Sequence, residues 1–326
     1  MKGRSARESG TRPRRGLSWW RRALLGVGLV AVLVAVLELS LWGLGTFVTL
    51  GIDRSLSDDG ASYTIACVGD SWTQGAPDGR FPDLLAQRLN ARGNARFRAL
   101  NLGLAGTNSS QALGGLVAYL KRERPDLILV MTGNNDHWNL DSSTYWKFED
   151  RSLGTGAMLA ARARIFLHSL RVYKLARVLG QQVTGGRTPN EFFFQQPDAE
   201  ASQAQLAAID LVTHRRQLEF NLTKFVELAR RYDVPVIFQT YFHFHGYRVN
   251  EVIRNVASAH QVPLVDNNRS FHELAPGDRG VLLIPDGHPS PRGYAFIADN
   301  IVQALADFKL IADQVTPVAA HQTPRE

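Results

Sequence analysis

Ser71 ends an apolar run, Tyr63-Thr64-Ile65-Ala66-Cys67-Val68, that stops at Gly69-Asp70-Ser71. The run reads as a parallel strand buried on both faces. Gly69 permits a sharp turn at its carboxyl end, and Ser71 begins the next helix with its hydroxyl above the sheet edge. Ligands of open α/β sheets bind beyond the carboxyl ends of the strands, so a hydroxyl there is a candidate nucleophile. Serine is also a common helix N-cap, and the tripeptide alone does not separate the two roles. An acyl-transfer serine needs a base, a group that orients the base, and oxyanion donors. His288 is the best base, in the loop Pro285-Asp286-Gly287-His288-Pro289 before the closing helix. Asp286 can accept from the far ring nitrogen and fix the tautomer. The plain alternative for His288 is a solvated loop histidine. His243 and His245 alternate after the fourth strand and can share a face. With Asp286 and His288 they form a rival metal-binding set, or else the polar rim of a pocket. No further carboxylate cluster accompanies them, and neither metal nor other cofactor is expected.

Two more stretches follow predicted strands: Asn101-Leu102-Gly103-Leu104-Ala105-Gly106-Thr107-Asn108 and Thr132-Gly133-Asn134-Asn135-Asp136. With the two above, they resemble in order the four sequence blocks of the SGNH/GDSL hydrolase superfamily, over roughly residues 61–310. The resemblance implies an esterase or acylhydrolase with Ser71, His288 and Asp286 as catalytic residues. It also implies an oxyanion hole of the Gly106 backbone N–H, the Asn135 side chain and the Ser71 N–H. Asn135 is preferred over Asn134 because Gly133-Asn134-Asn135-Asp136 matches the block Gly-x-Asn-Asp. Gly103 is expected to be structural. The chain departs from the family in its Asp-x-His spacing, where many members have Asp-x-x-His. It departs again at Trp72, where Leu or Phe is usual. Asp70 is expected to brace the turn, and Trp72 to pack beneath it or narrow the pocket. Asp70, Trp72, Asp136, Trp138 and His243 are the substrate-pocket candidates.

These residues need a scaffold that returns to one edge. Apolar runs at 63–69, 97–102, 126–131, 234–240 and 263–266 alternate with helical periodicity at 81–92, 110–122, 205–232, 249–259 and 291–309. The predicted fold is α/β, a three-layer α/β/α sandwich on a five-stranded parallel sheet. Right-handed crossovers make the flavodoxin-like order 2-1-3-4-5 the simplest topology. Residues 139–215 break the rhythm. They are expected to form a helical insertion bordering the cleft, with one amphipathic helix at 158–179 and the aromatics Phe192-Phe193-Phe194. That helix carries Arg162, Arg164, Arg171, Lys174 and Arg177; it reads as packed on the core with a solvated polar face, or as lying on a membrane surface.

Charge is concentrated at the amino end. Residues 1–22 hold eight of the 37 basic residues and one of the 30 acidic ones, a net of +7, and the rest of the chain holds 29 of each. A nucleic-acid partner would call for a basic face on the folded domain, so none is expected. The 30 residues between Arg22 and Asp53 contain one ionisable side chain, Glu38. Ala23–Gly43 gives about 31 Å of helix, enough for a bilayer. Trp19, Trp20 and Trp42 suit the interfaces, and the preceding positive cluster puts the domain outside the cytoplasm. A cleaved secretory signal is the competing reading. The expected layout is a basic cytoplasmic tail at 1–22, a single-pass inner-membrane signal-anchor at 23–50, and a linker at 51–62. The hydrolase domain at 63–313 and a disordered tail at 314–326 follow. The single cysteine, Cys67, reads as a small buried hydrophobe.

The expected activity is hydrolysis of short O-acyl esters, with acylated envelope or secreted polysaccharide as substrate. Acyl transfer to a sugar hydroxyl and non-catalytic glycan binding are the alternatives. The sequence leaves the oligomeric state open.

Overall fold

Five short apolar runs pair edge to edge, because each can bury both faces only inside a sheet covered on both sides. The computed structural model describes residues 19–53, 63–76, 79–92, 95–137, 139–140, 142–144, 155–184, 211–242 and 249–311. The strands are β1 (Tyr63–Gly69), β2 (Phe97–Gly103), β3 (Leu127–Met131), β4 (Val236–Gln239) and β5 (Leu264–Val265). All pairs are parallel, in the order β2-β1-β3-β4-β5. This is the predicted flavodoxin-like order. The α1 helix (Trp19–Asp53) precedes the sheet and forms a compact unit separate from the rest. Its Trp19–Leu44 portion is long and apolar enough to cross a membrane, a property that a signal sequence shares.

Within the second unit the helices are α2 (Ser71–Gln74), α3 (Phe81–Asn90), α4 (Ser109–Leu120), α5 (Thr155–Ser169), α6 (Arg171–Thr184), α7 (Leu211–Arg231) and α8 (Val249–His260). Beyond β5 come α9 (Asn267–Glu273), α10 (Pro276–Arg279), a 3₁₀ turn at Gly280–Leu282 and α11 (Pro291–Asp307). Helices α3 and α11 pack together, as α4, α7 and α8 do, and these two sets are the outer layers. Ile65, Leu127, Leu129, Ile237, Leu85, Phe225 and Ile297 are fully buried in one continuous core. Cys67 is fully buried within it, as expected, and burial pushes its thiol pKa up.

Two differences from the sequence reading have local causes. Helix α1 runs on to Asp53, past the point assigned to the linker, and residues 54–62 lie outside the described residues. The single helix predicted at 158–179 is two helices broken at Leu170. The Ser169 hydroxyl donates to the Phe166 carbonyl at 2.6 Å, competing with the helical ladder where it breaks. Phe192–Phe194 and the tail after Ile311 fall outside the described residues.

Candidate active site

Ser71 stands at the first position of α2, directly above the carboxyl end of β1. Asp70 caps that helix by accepting the Trp72 N–H at 3.0 Å. The cap role that Ser71 shares in principle is thus filled by Asp70, and the serine hydroxyl is left for other work. Two glycines let α2 sit this low. An added Cβ on Gly69 would lie 2.2 Å from the Met131 carbonyl oxygen, and one on Gly103 2.3 Å from the Gln74 nitrogen. Close approach, and not an unusual backbone angle, is therefore what Gly69 supplies. The α2 turn is also tied sideways to the β2 loop. Asn101 Nδ2 donates to the Gln74 carbonyl at 3.0 Å, and the Ala105 N–H to Gln74 Oε1 at 2.7 Å.

His288 reaches Ser71 from the far end of the chain. The Gly287 N–H donates to the Ile284 carbonyl at 2.9 Å, and the Ile284 N–H to the His288 carbonyl at 2.9 Å. This tight turn is held shut by the bridge between Leu283 and Pro289. Ser290 then caps α11 and also donates to the Val281 carbonyl at 2.6 Å. The result is a hydrogen bond of 2.9 Å between His288 Nε2 and Ser71 Oγ, across 217 residues of sequence. Asp286 Oδ1 lies 3.1 Å from His288 Nδ1 and accepts the His288 backbone N–H at 3.0 Å. The approach to the ring nitrogen is an ion-pair distance without hydrogen-bond alignment, and the Asp286 side chain is 60% exposed.

The other two loops meet beside the serine. Gly106 has φ 74°, a left-handed angle that favours glycine. Asn135 Nδ2 donates to the Thr107 carbonyl at 3.0 Å, joining the loops after β2 and β3. Asn139, absent from the sequence reading, clamps them: its Nδ2 donates to the Gly106 carbonyl at 2.6 Å. The backbone N–H groups of Ser71 and Gly106 donate to no backbone acceptor among the described residues. Ser71, His288, Asp286, Gly106 and Asn135 thus come from four separated segments to one edge of the sheet.

The sequence pattern of GDSL-like lipases and acylhydrolases matches residues 67–296, well over half the chain. The chain belongs to that family. As a GDSL-type protein it is a hydrolase acting on ester bonds. Among solved structures, it is similar to the lipase/acylhydrolase of Enterococcus faecalis, at 19% identity over 79% of this chain and 100% of that one, with a TM-score of 0.46. It is similar also to the esterase EstA of a Pseudoalteromonas species, at 14% identity over 76% and 99% of the two chains and a TM-score of 0.43. The acetyl xylan esterase AlAXEase matches at 13% identity over 74% and 99%, with a TM-score of 0.43. No curated protein matches in sequence.

In this GDSL hydrolase three of the expected pocket residues do not face the pocket. Trp72 is fully buried, packing edge-on against Tyr241 and Phe242 at ring centroids 5.2 and 4.9 Å away. Of its two expected placements, the one beneath the turn is found. Asp70 is fully buried as well, and Tyr241 donates its hydroxyl to Asp70 Oδ2 at 2.6 Å. Burial lifts the Asp70 carboxyl to about 6, against the lowering by Tyr241 and the Trp72 N–H. Asp136 is fully buried and accepts from the Ser109 N–H at 2.6 Å and the Ser109 hydroxyl at 2.5 Å. Asn221 Nδ2 donates in turn to Ser109 Oγ at 2.7 Å. Both aspartates therefore brace loops. Trp138, His243 and His245 lie outside the described residues. Tyr241 was missed because a tyrosine inside an apolar run reads as core, and only a buried acid needing a donor distinguishes it.

The Asp136 brace has a measurable pH signature. Burial lifts its carboxyl to about 7, Ser109 offsetting part of the rise, so the folded protein keeps a proton that the unfolded chain loses near pH 4. The folded pKa is the raised one. Its contribution is complete below the unfolded value and is lost as pH rises through about 7. The stability of the wild type relative to Asp136→Asn is expected to fall by about 4 kcal/mol between about pH 4 and pH 7, and then to level off. Urea titration of the two proteins in detergent at several pH values measures this difference.

Proposed function

We propose that the protein is a membrane-anchored serine esterase that cleaves carboxylic esters, short O-acyl esters above all, through an acyl-enzyme on Ser71. The observation that carries this reading is the 2.9 Å hydrogen bond between Ser71 Oγ and His288 Nε2. His288 takes the hydroxyl proton as Oγ attacks the carbonyl carbon. The negative charge that develops on the carbonyl oxygen falls to the Ser71 and Gly106 N–H groups and Asn135 Nδ2. As the tetrahedral intermediate collapses, His288 returns the proton to the leaving alkoxide. Water then attacks the acyl-serine with the same histidine as base, releasing the acid and restoring Ser71.

Exposed Leu104 and Ile284 sit on the loops that carry Gly106 and His288, and they give the site an apolar rim suited to an acyl group. The acyl carrier is read as an envelope or secreted polysaccharide. The basic cluster before α1 would hold the tail in the cytoplasm and the domain outside the inner membrane. The test is a fluorophosphonate probe on the detergent-solubilised chain, with the adduct mapped by mass spectrometry. The expected result is one adduct on Ser71, hydrolysis of short-chain nitrophenyl esters, and a rate indifferent to chelators. No adduct, or an adduct elsewhere, overturns the proposal.

A further inference from the structure

Helices α5 and α6 follow one another across a one-residue break at Leu170 and carry an unusual surface. Nine large apolar side chains of the second unit are exposed among the described residues, and five of them, Leu159, Phe166, Leu167, Leu175 and Leu179, fall on these two helices. Of the others, Leu104 and Ile284 rim the site at Ser71, and Val281 and Phe308 lie elsewhere in the sequence. The five are not randomly placed. Leu159, Arg162, Ala163 and Phe166 recur at helical spacing along one exposed stripe of α5, and Leu175 and Leu179 do the same on α6. Arg162 and Phe166 also line an open cavity of about 530 Å³ together with Ser142 and Ser143.

The charge of the same segment is one-sided. Residues 155–184 contain five basic residues, Arg162, Arg164, Arg171, Lys174 and Arg177, and no acidic one. Residues 23–326 hold 29 basic and 29 acidic residues, so outside residues 155–184 that span carries 24 basic against 29 acidic, a net of −5. Exposed Leu and Phe interleaved with Arg and Lys, on an otherwise acidic domain, is the signature of a helix lying in a lipid–water interface. A protein partner of acidic surface would satisfy the charges but not call for so much exposed leucine. The chain itself supplies the lipid. Only nine residues, 54–62, separate β1 from a helix long and apolar enough to span a bilayer, so docking becomes an intramolecular event at high effective concentration.

The exposure and charge of this segment point to α5–α6 as a docking element for an anionic bilayer surface, and we propose that role for it. It lays its Leu and Phe stripe into the headgroup boundary with its basic residues among lipid phosphates. The segment acts in addition to α1 and independently of the reaction at Ser71.

The chain offers a clean probe. Its single cysteine is fully buried, so one new thiol takes a label selectively. The full chain with Leu179→Cys or Phe166→Cys, bearing an environment-sensitive fluorophore, is reconstituted into vesicles containing phosphatidylglycerol and acyl-chain nitroxide lipids. A label at the exposed Lys121→Cys, beyond α4, serves as control. The expected result is strong quenching at 166 and 179 and little at 121. In pure phosphatidylcholine vesicles, or with Arg162, Arg171 and Lys174 all changed to Gln, quenching at 166 and 179 falls to the level at 121. Equal quenching in neutral and anionic vesicles overturns the charge argument. A label at 166 and 179 that is shielded from water but not quenched by lipid overturns the proposal too, since another part of the chain or a second copy then covers the stripe.

Discussion

Ser71→Ala and His288→Ala are each expected to lower kcat/KM for a short aryl ester by about 10⁶-fold, and the double variant by no more than the worse single. The non-additivity follows from the 2.9 Å bond, because neither group does chemistry without the other. What remains after either change is the contribution of the oxyanion donors and of substrate binding. Neither substitution should cost much stability, since Ser71 is half-buried and the His288 side chain keeps 23% of its exposure. Asp286→Asn is expected to behave differently. Where an orienting aspartate is buried, the asparagine traps the wrong tautomer and costs about 10⁴-fold. Here the carboxylate is 60% exposed and out of line with Nδ1, so water screens it and can take its place. A loss of about two- to five-fold is expected, within the scale of exposed charge interactions. Initial rates of the three variants, with melting temperatures alongside, separate these cases. A loss at Asp286→Asn as large as that at His288→Ala would mean that the carboxylate swings into line during the reaction.

The parts of this protein that were legible in the sequence are those where one physical demand acts alone. A parallel strand buried on both faces has to be apolar throughout, and β1 and β3 announce themselves that way. Strand order followed from the handedness of crossovers, and the loops carrying Ser71, Gly106 and Asn135 followed from the strands they leave. What could not be read are the places where a side chain answers to a distant partner. Nothing near Tyr241 in sequence shows that Asp70, 171 residues away, needs its hydroxyl. Asn139 looks like a loop residue until the Gly106 carbonyl is beside it. The short elements from Asn267 to Leu282 escaped for a different reason, because each is about one or two turns long and has no period to detect. Trp72 shows the limit most directly. Its size suggested two opposite places, and only the presence of Tyr241 and Phe242 beneath the turn decides between them.

Gly103→Ala is expected to damage catalysis far more than its single methyl group would suggest. Gly103 and Gly69 are partners across the β1–β2 ladder, and together they form the seat on which α2 rests. A Cβ on Gly103 would stand 2.3 Å from the Gln74 nitrogen and 2.7 Å from the Thr73 carbonyl carbon. Both are backbone atoms, so no side-chain rotation relieves the contact and α2 itself has to lift by about 1 Å to reach van der Waals distance. That displacement moves Ser71 away from His288. A shift of this size at a reacting group costs about 100-fold, while overpacking costs about 1–3 kcal/mol of stability. Gly114→Ala is the matched control. Gly114 is on the exposed side of α4 with nothing within 4 Å of an added Cβ, and alanine there should stabilise the helix by about 0.5–1 kcal/mol with the rate unchanged. The rate of fluorophosphonate labelling reads the position of Ser71 without reference to any substrate. Slow labelling of a folded Gly103→Ala protein, beside wild-type labelling of Gly114→Ala, would show that the nucleophile is aimed by the seat of α2 on the two glycines. Wild-type labelling of Gly103→Ala would mean that the turn holds Ser71 through Asp70 and Tyr241 alone.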